Sequence, residues 1–138
     1  MEQFAVYGHA IVAMAATALL GLLINPLVGI AKMKSGHQAG GKPENNYEDV
    51  TYRVDRAYAN LTEVMGLFVA ATVAAMIAGA NPSWVNWLAV IFFISRVLHF
   101  IVHYRGIGKM HQGPRTFIFV VGWACCIVLA VLAIFAVF

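Results

Sequence analysis

Four apolar runs, residues 4–30, 64–80, 84–102 and 117–138, constrain the chain more than any other feature. An α-helix rises about 1.5 Å per residue, so about 20 apolar residues cross the roughly 30 Å of bilayer hydrocarbon. Three runs have that length outright, and the second has it once its polar N-terminal part is included. The 138 residues are 62% hydrophobic and 11% charged, whereas about a quarter of a soluble domain is charged. Too little polar surface is left for a water-soluble core. The expected fold is therefore an all-α membrane protein, a four-transmembrane-helix bundle forming one domain over 1–138, with helices near 4–31, 46–80, 83–104 and 114–138. The first run is too long for a signal peptide, starts beside Glu2 with no basic segment, and is followed by Lys32 and Lys34, so it should remain as a span.

The connections are short. Residues 35–47 carry Gly36, Gly40, Gly41 and Pro43 among polar side chains, the composition of a solvated loop. Asn45 followed by Glu48 resembles a capping box, which predicts that the second helix starts near Asn46. Asn81-Pro82-Ser83 is a tight turn with proline at a first helical position. Asn25-Pro26 lies inside the first helix and predicts a kink. Small residues recur every four positions in the second helix, at Ala70-Ala74-Ala78 and Ala71-Ala75-Gly79, a spacing that lets helices approach closely.

Four spans put residues 35–47 and 105–114 on one side, and both termini with the Asn81 turn on the other. All nine basic residues, Lys32, Lys34, Lys42, Arg53, Arg56, Arg96, Arg105, Lys109 and Arg115, lie on or toward the first side. The positive-inside rule makes that side cytoplasmic. Tyr7, Trp84 and Trp87 suit an aromatic belt at the opposite interface, and Tyr52 and Tyr104 one at the cytoplasmic interface. The short connections and lack of sorting signals suggest a bacterial inner membrane.

Charged and polar residues gather at the cytoplasmic end. Arg53, Arg56, Asn60 and Glu63 are spaced by three, four and three, which aligns them on one helix stripe. Arg96, His99 and His103 repeat the pattern on the third helix, and Arg115 opens the fourth. Counted from Trp84 at about 1.5 Å per residue, Arg96 lies about 18 Å deep. A charge at the centre of a span costs about 2.5–3.5 kcal/mol, so Arg96 needs a partner. Glu63 is the carboxylate at comparable depth, and one reading is a structural ion pair between Arg96 and Glu63. A second reading starts from the surplus of cations and donors, Arg56, Asn60, His99 and Arg115, which calls for an anionic polar ligand.

Other readings carry less. His99 and His103 are four apart, but no third ligand completes a metal site, and none is expected. Cys125 and Cys126 are adjacent in an apolar run and are expected to pack. The Asn60-Leu-Thr62 glycosylation pattern falls in a helix on the cytoplasmic side. His9, His37 and His111 have no constellation around them. No nucleic-acid partner is expected.

The run Arg53-Val-Asp-Arg56-Ala-Tyr-Ala-Asn60-Leu-Thr-Glu63, followed by Phe68, resembles the signature of the MAPEG family, membrane-associated proteins in eicosanoid and glutathione metabolism. The resemblance continues in Arg96-Val-Leu-His99 and in Pro114-Arg115-Thr116. It implies a homotrimer with glutathione held between subunits near the cytoplasmic face. It also implies that Arg56, Asn60, Glu63 and His99 bind glutathione, with Arg115 as the catalytic cation that stabilises its thiolate; Arg53, His103 and Thr116, beside them in the chain pattern, are expected to contact glutathione as well. The chemistry is compatible: guanidiniums suit glutathione's carboxylates, Glu63 its ammonium and Asn60 a peptide group. A thiol of ordinary pKa near 8.5 becomes a good nucleophile once a nearby cation favours the thiolate.

The chain departs from the family in places. His103 and Phe119 stand where animal enzymes of the family tend to carry tyrosines, and Gly66-Leu67 precede Phe68 where a proline is common. The family's first-helix basic residue has both Lys32 and Lys34 as counterparts. The expected function is a glutathione transferase, with or without peroxidase activity, acting on a hydrophobic small molecule or lipid. The alternatives are a non-catalytic member that binds lipid or glutathione, and a small proton-coupled transporter. A transporter carboxylate belongs near the midplane with few cations around it, whereas Glu63 lies near one face among arginines.

Overall fold

The computed structural model describes residues 2–38, 40–108 and 113–138. Lys109 and His111 lie outside the described residues. A short helix, α1 (Glu2–Ala5), precedes four long ones: α2 (Gly8–Lys34), α3 (Val50–Ile77), α4 (Pro82–Arg105) and α5 (Pro114–Val137). All four long helices have the length and hydropathy of membrane spans. The central pair, α3 and α4, pack on each other, and each also packs on both α2 and α5.

Small residues dominate the inward face of α2, while α3 and α4 also bury aromatic side chains. On α2 the buried set is Ala10, Ala13, Thr17, Gly21, Ile24, Val28 and Lys32, spaced by three and four along a single face. A Cβ at Gly21 would lie 3.0 Å from Met65 Cε, so the missing side chain leaves room for the Met65 tip between α2 and α3. Between α3 and α4 the rings of Phe68 and Phe92 stack with centroids 3.9 Å apart. Large side chains such as Leu22 and Phe135, 71% and 75% exposed, point outward. In a bilayer that outward face meets lipid or another protein span, so its exposure carries no hydrophobic penalty.

The ends of the spans are set by identifiable groups. Asn81 accepts from Ser83 N at 3.0 Å and Trp84 N at 3.4 Å, and Pro82 opens α4 as the sequence predicts. Asn86 closes the break between α1 and α2 by donating to Val6 O at 2.8 Å and accepting from Ala10 N at 2.9 Å. The Tyr7 hydroxyl donates to Ala80 O, which ties the N-terminal segment to the Asn81 turn. Pro26 sits inside α2 without ending it.

The start of α3 differs from the expectation. The helix begins at Val50, not near Asn46, and its N-cap is Asp49, whose Oδ1 accepts from Thr51 N at 2.8 Å. Asn46 instead makes a local turn, its Oδ1 accepting from Glu48 N at 3.0 Å. Each Asx side chain binds the amide two residues on, and the helix starts after the later one. The Tyr47 and Glu48 carbonyls are meanwhile taken by the Arg53 side chain.

Candidate functional site

Depth and partners together decide what each polar residue at the loop end of the bundle does. Arg96 is the most deeply placed cation, 3% exposed on α4. Its Nη1 donates to Asn60 Oδ1 at 3.0 Å, its Nη2 to the carbonyls of Ile118 and Phe119 at 3.3 and 3.2 Å, and its Nε to Ser95 Oγ at 3.2 Å. The guanidinium also lies near the rings of Phe92 and Phe119. Such a set satisfies a buried guanidinium through dipoles and π-faces without a carboxylate. The close approach to α5 depends on Gly122, because a Cβ there would collide with Arg96 Nη2 and Ser95 Oγ.

The ion pair expected between Arg96 and Glu63 is therefore not formed. Glu63 lies one turn beyond Asn60 on an exposed part of α3, and its Oε1 meets Arg56 Nη1 at 3.4 Å. Asn60 comes between the two and takes the buried cation. Because a guanidinium only donates, Asn60 must turn its oxygen to Arg96, which leaves its amide N–H groups for other partners.

Arg56, Asn60, His99, His103, Arg115, Thr116 and Phe119 line one cavity of about 200 Å³. Three helices supply it: α3 gives Arg56 and Asn60, α4 the histidines, and α5 the remainder. The His99 and His103 rings stand 4.5 Å apart. Both are buried, as is Arg115, and His103 Nδ1 has no hydrogen-bond partner among the described residues. Six residues selected from the sequence as ligand contacts or as the catalytic cation thus converge on one space whose lining, among the described residues, includes no carboxylate. Phe119, noted in the sequence only as a departure, also lines it.

Arg53 does not join them. Its Nε donates to His103 O at 2.9 Å, and its Nη1 to Tyr47 O at 2.9 Å and Glu48 O at 2.7 Å, so it clasps the α2–α3 loop to the end of α4. Three of its five N–H donors are spent on these carbonyls, and it is not among the residues that line the cavity. Of the two first-helix lysines, Lys32 is buried and paired with Asp55 at 2.6 Å, while Lys34 is exposed. Asp55, on α3, drew no attention in the sequence, although its position between Arg53 and Arg56 places it on the adjacent face.

Tyr47 is the other residue the sequence did not single out. Its ring lies under the Arg115 guanidinium, with Cζ 3.8 Å from the ring centroid. It also meets the His103 ring edge-on, with centroids 6.1 Å apart. Burial pushes the Tyr47 phenol above its usual pKa, against the opposing pull of the Arg115 and Arg53 guanidiniums. A loop tyrosine has no periodicity to betray it; its place six residues before Arg53 was the available signal.

Four apolar spans with a cationic cavity set into one end of their bundle define a helical integral membrane protein whose polar chemistry is confined to that end. The family model described as the MAPEG family matches residues 10–135, and the chain belongs to that family. The family includes glutathione transferases, peroxidases and non-catalytic members, and its members bind glutathione and lipids in membranes. A search of curated proteins returned no match for the chain.

Proposed function

We propose that the protein is a membrane-bound glutathione transferase, able also to act as a peroxidase, and that the cavity between α3, α4 and α5 holds glutathione. The observation that carries this reading is the convergence of Arg56, Asn60, His99, His103, Arg115 and Thr116 on one space lined, among the described residues, without a carboxylate. Guanidiniums there suit the two carboxylates of glutathione, and the free amide of Asn60 suits a peptide carbonyl. Glu63, beside Arg56 at the edge, suits the ammonium.

Arg115 is the cation assigned to the sulfur. Its positive charge favours loss of the thiol proton to solvent, and the thiolate then attacks an electrophilic carbon dissolved in the bilayer. A C–S bond forms and the leaving group departs with the electron pair of the broken bond. With a lipid hydroperoxide the thiolate attacks oxygen and releases the alcohol, and a second glutathione reduces the resulting sulfenic acid to give disulfide and water.

Small-molecule pockets run to about 300–1,000 Å³, so the cavity of about 200 Å³ supports a site completed by a neighbouring subunit. The reading includes a homotrimer in a bacterial inner membrane; the distribution of basic residues supports its orientation, with the site toward the cytoplasm and the termini away from it. Native mass spectrometry in detergent tests the trimer.

The deciding experiment is ultraviolet absorbance of protein-bound glutathione. A thiolate band that is present in the wild type and lost in Arg115→Ala is the expected result. A band unchanged by that substitution overturns the mechanism. Non-catalytic binding of glutathione or lipid is the second reading, favoured by His103 and Phe119 lining the cavity without a hydroxyl group. Bound glutathione that shows no thiolate and no turnover would select it. The half-exposed Arg56–Glu63 pair at one end of the bundle leaves a proton-coupled transporter without its midplane carboxylate.

A further inference from the structure

The connection between α2 and α3 reads in sequence as solvated linker, yet one of its residues sits against the cation assigned to the thiolate. The Arg115 Cζ lies 3.8 Å from the Tyr47 ring centroid, within van der Waals contact of the aromatic face. Tyr47 is itself held from behind. Arg53 takes its carbonyl at 2.9 Å and the neighbouring Glu48 carbonyl at 2.7 Å, and through its Nε binds His103 O at 2.9 Å. A Cβ at Gly106 would lie 3.1 Å from Arg53 Cζ, so the α4 C-cap glycine is what lets the clasp close.

We propose that Tyr47 is a positioning residue for the site: its ring face fixes the Arg115 guanidinium at the cavity, and Arg53 fixes Tyr47. This deepens the glutathione reading and rests on it for the identity of the ligand. The physical reason concerns donors and charge. A carboxylate would hold a guanidinium by consuming its N–H groups and cancelling its charge, in competition with an anionic ligand. An aromatic face attracts the same cation through its quadrupole without consuming an N–H group or cancelling the charge. The loop thereby supplies an anchor for the first turn of α5, where Arg115 follows Pro114 directly.

The contact is assigned to the ring and not to the hydroxyl. The Tyr47 hydroxyl is buried with no hydrogen-bond partner among the described residues. Tyr47→Phe should therefore keep the function of this residue, and Tyr47→Leu should abolish it.

The test titrates the thiolate absorbance of glutathione bound to the full-length protein in detergent, for wild type, Tyr47→Phe and Tyr47→Leu. The expected result is a Tyr47→Phe curve that overlays wild type and a Tyr47→Leu curve displaced to higher pH, with glutathione affinity lower by about three- to tenfold. Tyr47→Leu titrating as wild type overturns the inference, and so does Tyr47→Phe behaving like Tyr47→Leu, which would move the role to the hydroxyl. Phenylalanines of increasing fluorination at position 47 keep the shape and drain the π-face, so they give a stepwise displacement even where Tyr47→Leu fails to fold. If wild type shows no thiolate, the glutathione mechanism fails and the position of Arg115 decides separately. Upfield, ring-current-shifted Arg115 side-chain resonances in wild type and Tyr47→Phe, absent in Tyr47→Leu, support the positioning role, and unshifted resonances in all three overturn it.

Discussion

The Arg96 guanidinium on α4 donates to the Asn60 side-chain oxygen on α3 at 3.0 Å, so the most deeply buried cation at the loop end is held by an amide. This contact joins stability to the site, because it orients an amide that also lines the cavity.

Arg96→Leu should destabilise the protein by about 1–3 kcal/mol, the cost of leaving Asn60 Oδ1 and neighbouring polar groups without a donor. Denaturation in mixed micelles measures it. Adding Asn60→Leu should recover part of the loss, since both polar partners are then gone. A double variant no more stable than Arg96→Leu alone would count against this coupling.

Gly122→Ala should cost about 1–3 kcal/mol, because its new methyl group collides with Arg96 Nη2 and Ser95 Oγ. Gly66→Ala serves as the comparison. Nothing lies within 4 Å of a Cβ there, and alanine favours a helix by about 0.5–1 kcal/mol over glycine. Opposite shifts in unfolding temperature are the expected outcome; a neutral Gly122→Ala would show that α4 and α5 do not approach as described.

Lys32→Met and Asp55→Leu should each destabilise by about 3 kcal/mol, since each strands the other partner of a largely buried pair. The double substitution should recover most of that. Additive losses in a double-mutant cycle would mean that the 2.6 Å contact between α2 and α3 contributes no coupling.

Glu63→Gln should leave the unfolding temperature nearly unchanged, because its pairing with Arg56 is half-exposed and such pairs contribute about 0–1 kcal/mol. Glutathione binding, measured by calorimetry, should nevertheless weaken through loss of the partner for the ammonium. Equal affinity in variant and wild type would remove Glu63 from the proposed site.

Much of this molecule is legible in the order of its residues. Apolar runs long enough to cross hydrocarbon have few alternatives to helix, because in lipid every backbone group must be bonded within its own segment. Asn81-Pro82 marks the start of α4 for a local reason, a side chain capping nearby amides. Spacing by three and four puts Arg56 with Asn60, and His99 with His103, on common helix faces whatever the rest of the chain does. The capping signal before α3 misled because two local bonding patterns, at Asn46 and at Asp49, were each sufficient. Arg53, reaching back to the Tyr47 and Glu48 carbonyls, holds the chain in the turn conformation.

The sequence by itself determined the spans, their order and the faces that carry polar side chains, because those follow from hydrocarbon thickness and helical period. Only tertiary structure decided the pairings: Arg96 with Asn60 in place of Glu63, Lys32 with Asp55, Arg53 with the loop, and Tyr47 beneath Arg115. Each joins residues from different helices or from a loop and a helix, where distance depends on how closely backbones approach. Gly122, where a Cβ would collide with Arg96 and Ser95, sets that approach between α4 and α5, and helical period contains no information about it.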